Sequence, residues 1–107
     1  MIFARVTGTV VCTLKDEKLV GSKLLLVQPV DLAGASKGHP LVAVDSVGAG
    51  EGELVLLVQG SSARQTSRTE GRPVDAVIFA IVDTVEQNGK TAFKKSSEAE
   101  KARHAER

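Results

Sequence analysis

Cys12, His39 and His104 are the side chains best suited to nucleophilic or metal chemistry in this 107-residue chain, and they are widely separated in it. Cys12 lies between Val10 and Leu14 on what reads as the inward face of a strand. A thiol among aliphatic neighbours is expected to be a small buried hydrophobe. His39 belongs to a Gly/Pro loop and His104 to a charged tail, and neither has a companion at ligand spacing. That pattern does not describe a zinc site, and a lone cysteine has no internal disulfide partner. Asp45, Asp75 and Asp83 all fall in predicted strands. Asp75 and Asp83 share a strand face but stand about 26 Å apart at ~3.3 Å per residue, too far for an acid–base pair of the glycosidase kind. Structural roles are expected for all three, with no catalytic residue, no metal and no cofactor.

Two binding chemistries need testing against context. Gly48, Gly50 and Gly52 resemble part of a dinucleotide fingerprint, but that motif requires a helix directly after the glycines to meet a phosphate. Leu54-Val55-Leu56-Leu57-Val58 follows instead and reads as a strand. Arg64, Arg68 and Arg72 form a small basic loop diluted by Glu70. Single-strand nucleic-acid binders combine a positive groove with aromatic platforms, whereas this chain has only Phe3, Phe79 and Phe93 and a formal charge of +1. Nucleic acid is not an expected partner.

The elements that must position these residues are short strands. From Ile2 to Leu14 the period is two, with Ile2, Ala4, Val6, Gly8, Val10, Cys12 and Leu14 on one face, as in a long, bent strand with one buried side. Further strands are predicted over Lys23–Val30, Leu41–Val47, Leu54–Gln59 and Val74–Val85. Pro29 keeps the end of the second from being a fully paired central strand. Gly60 to Gln65 reads as the start of a short helix capped by Ser61 or Ser62. Asn88-Gly89 is a hairpin turn signal, leading to a short last strand around Thr91-Ala92-Phe93. Ser97 and Glu100 form a capping-box pattern before 98–106, which is rich in helix formers but has no apolar stripe. The expected architecture is all-β: a small five-to-six-stranded, OB-like Greek-key barrel with one short helix, spanning 1–95, and a charged tail of helix-forming composition at 96–107.

Apolar residues make up 42% and charged residues 25%, a globular composition. No apolar stretch approaches the ~20 residues of a membrane helix, no cationic leader precedes an apolar run, and no membrane partner is expected. Residues 90–107 hold six basic and three acidic side chains, so the tail is mildly basic and the remainder mildly acidic. With no Trp or Tyr, the core must come from Val, Leu, Ile and Ala. The second and fifth predicted strands are apolar on both faces, which calls for cover by another subunit.

Three segments carry a resemblance to a known family. Thr7-Gly8-Thr9-Val10-Val11, Lys15-Asp16, Gly21 and Lys23 to Pro29 look like the opening of the EutN/CcmL family, pentameric vertex proteins of bacterial microcompartment shells. The second segment runs Val42-Ala43-Val44-Asp45-Ser46-Val47-Gly48-Ala49-Gly50, Gly52-Glu53, Leu54-Val55-Leu56 and Gly60-Ser61-Ser62-Ala63-Arg64. The third is Arg72-Pro73-Val74-Asp75-Ala76 with Ile81-Val82-Asp83. Leu14 and Leu54 depart from the family, standing where many members have Arg or Gln and Trp.

The resemblance implies a structural homopentamer in the shell of a microcompartment in the bacterial cytoplasm, bordered by hexameric shell proteins and supplying curvature rather than catalysis. It implies that Gly48, Ala49 and Gly50 approach a five-fold axis with a narrow opening, with Asp45 and Ser46 supporting that loop. Arg64, Leu54, Val77, Phe79 and Ile81 are the implied subunit or shell contacts, and Pro73 and Asp75 would fix the start of the fifth strand. The competing reading is a small OB-like module that binds a ligand or nucleic acid.

Overall fold

The computed structural model describes residues 1–13, 21, 23–60 and 75–95. Seven strands appear in chain order: β1 (Ile2–Val10), β2 (Leu24–Pro29), β3 (Leu41–Asp45), β4 (Leu54–Gln59), β5 (Ala76–Ile81), β6 (Thr84–Gln87) and β7 (Lys90–Lys94). The first five close a barrel in the order β1-β2-β3-β5-β4, with β4 returning to β1. This is the strand order of an OB-type barrel. Every ladder is antiparallel except β3–β5, which is parallel and joins only Val44 to Val77 and Asp45 to Ile78.

The interior is aliphatic. Ala4, Val6, Leu25, Val27, Ala43, Val55, Leu57, Ala76 and Ile78 pack inside the barrel, and Ala49 joins them from a loop. A second cluster of Val30, Leu54, Val82 and Phe93 forms outside the barrel wall, with Phe3, Leu56 and Val85 packed against it. It is roofed by the β6–β7 hairpin. The hairpin turns through Asn88 (φ 54°) and Gly89 (φ 75°), the pair of left-handed residues that a two-residue turn of matching twist requires.

Several expectations are corrected by register. The first strand ends at Val10, not Leu14, and a bulge lies between Val6 and Gly8. Beyond it Gly8 and Val10 pair with Leu26 and Leu24, on the outer face, because one inserted residue reverses the side to which every later side chain points. Cys12 is accordingly exposed rather than buried. Asp45 ends the third strand two residues earlier than expected.

The predicted fifth strand is two strands. Its chain leaves the barrel at Val82, whose amide donates to the Leu54 carbonyl at 2.9 Å, and then begins the hairpin. A further bulge in the β4–β5 ladder pairs Leu57 with Ile78 but Val55 with Ile81. Ile81 therefore packs against the barrel core, not on the outer face beside Val77. Leu54–Gln59 and the Asn88-Gly89 turn fall as expected. Pro29 pairs only with Ala4 on β1, while the β2–β3 ladder stops at Val27, as its missing amide hydrogen demands. The helix expected after Gly60 and the tail at 96–107 lie outside the described residues.

Candidate functional site

The Gly48-Ala49-Gly50 loop joins β3 to β4 and closes one end of the barrel. Its geometry starts with Asp45, which is 5% exposed. Its Oδ1 accepts the amides of Val47 at 3.0 Å and Gly48 at 3.1 Å, an Asx-type turn in which a short carboxylate substitutes for the strand ladder just lost. Its Oδ2 lies 3.9 Å from Lys23 Nζ, which also donates to the Ala49 carbonyl at 3.2 Å. Ser46 sends its hydroxyl to the Ile78 carbonyl at 2.6 Å, and its amide donates to the same oxygen. Gly48 takes a positive φ of 77°, a region closed to most side chains. Asp45 and Ser46 thus hold the loop from below.

Glu53 holds its far side. Oε1 accepts the Gly50 amide at 2.6 Å, and Oε2 accepts Lys95 Nζ at 2.5 Å. The Lys95 hydrogen bond is the main cause that lowers the Glu53 carboxyl below the ordinary glutamate value; partial burial opposes it and the Gly50 amide reinforces it. The same bond raises the Lys95 ammonium. Lys95 directly follows β7, so one carboxylate ties the glycine loop to the root of the C-terminal hairpin. Arg5 adds a second tie, donating from a guanidinium nitrogen to the Gly52 carbonyl at 3.1 Å with its guanidinium carbon 5.7 Å from the centre of the Phe93 ring. Gly52 and Glu53 complete the closure by exchanging backbone bonds with Val6.

The loop's surface differs from expectation. The Ala49 methyl is fully buried in the barrel core, while Val47, Gly48, Glu51 and Gly52 are exposed. Leu54 and Val77, read from sequence as contact residues, are covered within the chain itself: Leu54 under the hairpin and Val77 in a small cluster with Val44, Leu24 and Val58. Phe79 is half-buried. Arg64 and Pro73 lie outside the described residues, and Asp75 is an exposed residue whose carbonyl accepts the Gly60 amide at 2.7 Å. The side chains missed by sequence reasoning are Glu53, Lys95 and Arg5, together with the exposed apolar Val42 and Val47. Alternation alone hinted at Val42; no local signal joins Glu53 to a lysine 42 positions later.

Chemically, this arrangement can build and brace a surface. Asp45 and Glu53 are both occupied by amide and ammonium donors, and among the described residues no three His, Cys, Asp or Glu side chains converge on a metal-sized site.

Residues 1–83 match the family described as "Ethanolamine utilisation protein EutN/carboxysome". The chain is 50% identical over 95 residues to the bacterial microcompartment shell vertex protein EutN of Salmonella typhimurium, covering 89% of this chain and 96% of that protein. The solved structure of CcmL from Nostoc sp. superimposes with a TM-score of 0.84 at 49% identity, covering 89% of this chain and all of the other. GrpN of Rhodospirillum rubrum, described as a pentameric microcompartment shell protein, gives a TM-score of 0.73 at 46% identity over 81% of this chain and 99% of its own. With its barrel, glycine loop and nearly full-length match, the chain belongs to the EutN/CcmL family of microcompartment shell vertex proteins.

Proposed function

We propose that five copies of this chain close into a ring that occupies the five-fold vertices of a bacterial microcompartment shell within the cytoplasm, and that hexameric shell proteins border it. The observation that carries this reading is the near full-length identity to shell vertex proteins, one of which is described as pentameric. A sheet of hexagonal tiles is flat, and a five-fold unit at a lattice point forces it to curve and close. The protein's contribution is shape, without a chemical step.

Within the ring, the exposed part of the loop over Asp45, Ser46, Gly48, Ala49 and Gly50 is assigned to the axis. Gly48 and exposed Val47 would face the opening, with Ala49 anchoring the loop inward. Contact between copies is assigned to Val42, which is 48% exposed, and to half-buried Phe79 beside the part of β5 that has no β3 partner. Arg64 remains assigned to this contact from the family resemblance. Leu54, Val77 and Ile81 are packed within the chain, under the hairpin, beside Val44 and against the barrel core respectively, and are not assigned to the contact.

The competing nucleic-acid reading loses support from the fate of the aromatics: Phe93 is buried and Phe3 and Phe79 are half-buried, leaving no exposed platform on which bases could stack. Native mass spectrometry of the purified full chain tests the assignment. A dominant five-subunit species is expected; a stable monomer or dimer would overturn it.

A further inference from the structure

Asn88 is the single asparagine of the chain, and a glycine follows it. It is also the one non-glycine residue with a positive φ among those described, at 54°. The turn it opens has no tertiary cover. Every residue from Glu86 to Ala92 is exposed, and the hairpin meets the barrel wall nearer its base, through Val85 and Phe93. A bulge between Val85 and Glu86 separates that base from the tip, where Glu86 pairs with Thr91 and Gln87 with Lys90. Two paired positions without a packed face open readily. Apart from its chain neighbours, no heavy atom stands within 4 Å of where a Gly89 side chain would begin.

The side-chain amide of asparagine is among the chemically labile groups of a protein. A glycine after it offers the least steric obstruction to attack by the next backbone nitrogen. In the closed turn, the left-handed Asn88 backbone and the paired Gln87 and Lys90 hold that nitrogen in place. An opened tip frees it to reach the side-chain carbon, Cγ.

We infer that Asn88-Gly89 is a site of spontaneous deamidation that marks aged copies of this chain and unzips the hairpin tip. The Gly89 nitrogen gives its proton to solvent and bonds to Asn88 Cγ. The Cγ–Nδ2 bond breaks, and Nδ2 takes a proton from solvent and leaves as ammonia. Water then opens the five-membered imide. Attack at Cγ restores the ordinary backbone with an aspartate side chain; attack at the main-chain carbonyl carbon leaves isoaspartate, whose backbone runs through Cβ and Cγ. The net change consumes one water and releases one ammonia, with nothing oxidised or reduced. Aspartate tolerates the left-handed region, and Asp-Gly forms the same two-residue turn. Isoaspartate adds a methylene to the main chain, so the loop no longer matches the Gln87–Lys90 register. Either product adds a carboxylate and takes the formal charge of the chain from +1 to zero. In isoaspartate molecules the tip unzips as far as the bulge, while Phe93 keeps its seat among Val30, Leu54 and Val82.

The test ages the full chain, in whatever oligomer it forms, at physiological temperature and mildly alkaline pH, beside Asn88→Gly. Gly-Gly supports the same turn but has no side-chain amide to lose. Peptide mass spectrometry of the aged unmutated protein is expected to show a gain of about 1 Da at Asn88. Labelling by a protein isoaspartyl methyltransferase should identify the isoaspartate fraction. Amide protection at Gln87 and Lys90 is expected to be lost in that fraction and kept at Phe93. Aged Asn88→Gly should keep both, as should freshly purified Asn88→Asp, which represents the aspartate product. Absence of the mass gain, or a gain located at Gln87 instead, would overturn the inference. Isoaspartate with unchanged protection at Gln87 and Lys90, or equal loss of protection in aged Asn88→Gly, would overturn the unzipping.

Discussion

Replacing Asp45 with alanine isolates what holds the glycine loop in place. The carboxylate is 5% exposed and accepts two backbone amides through one oxygen. Removing it strands both amides at the barrel end, at ~1–3 kcal/mol for each buried group left unsatisfied. Because the two bonds are only part-buried, water recovers some of that, and a net loss of about 2–3 kcal/mol is expected. The Lys23 pairing adds little, since its ammonium is 3.9 Å away and its side chain 54% exposed, a solvent-screened geometry. At ~4–8 °C per kcal/mol for a domain of this size, melting should fall by about 10 °C or more. Asp45→Asn keeps the accepting oxygen and should lose less than half as much. The assay is thermal unfolding at fixed protomer concentration, since assembly shifts apparent stability, paired with hydrogen exchange at Val47 and Gly48. Equal melting of the alanine variant and the unmutated protein, with unchanged exchange at both amides, would refute the reasoning.

Three other outcomes follow from the same contacts. Because the Glu53 carboxyl is held below its ordinary value, chiefly by Lys95, its tie to the hairpin is intact above the ordinary glutamate range and is lost as pH falls through the lowered value. Protection of the Gly50 and Lys95 amides against hydrogen exchange, taken relative to the intrinsic rate at each pH, should fall on acidification in the unmutated protein and already be low at neutral pH in Glu53→Gln; identical protection profiles would remove the tie. Ala49→Trp should fail through the core, not through an axial opening: its methyl is fully buried, and overpacking costs about 1–3 kcal/mol or more, so low soluble yield or early unfolding is expected before any effect on assembly. Leu54→Trp should be tolerated, because a cleft of about 220 Å³ lined by Leu54, Phe3, Arg5 and Phe93 adjoins that side chain; a melting temperature lowered by more than a few degrees would show that the cleft does not accept the ring.

Much of the architecture follows from local pattern. The alternation of β1 up to Val6, the uninterrupted apolar run of β4 and the Asn88-Gly89 turn are each dictated by residues within a few positions of one another. The shortage of His, Cys and aromatic side chains pointed away from catalysis on composition alone, and the quoted motifs were specific enough to indicate the family. What local pattern could not carry was the side to which residues point after a bulge. Gly8, Val10 and Ile81 all change face because one extra residue enters a ladder, and the energy that favours a bulge depends on the partner strand.

The same holds for the glycine loop. The sequence of residues 45–50 determined that the chain must turn there, with glycine at a positive φ and an aspartate to accept its amides. Only the tertiary structure decided that Ala49 points inward, that Glu53 reaches Lys95, and that a hairpin outside the barrel shields Leu54 and Phe93. Those outcomes depend on contacts between residues distant in the chain, whose cost and reward are set by the closure of the barrel as a whole.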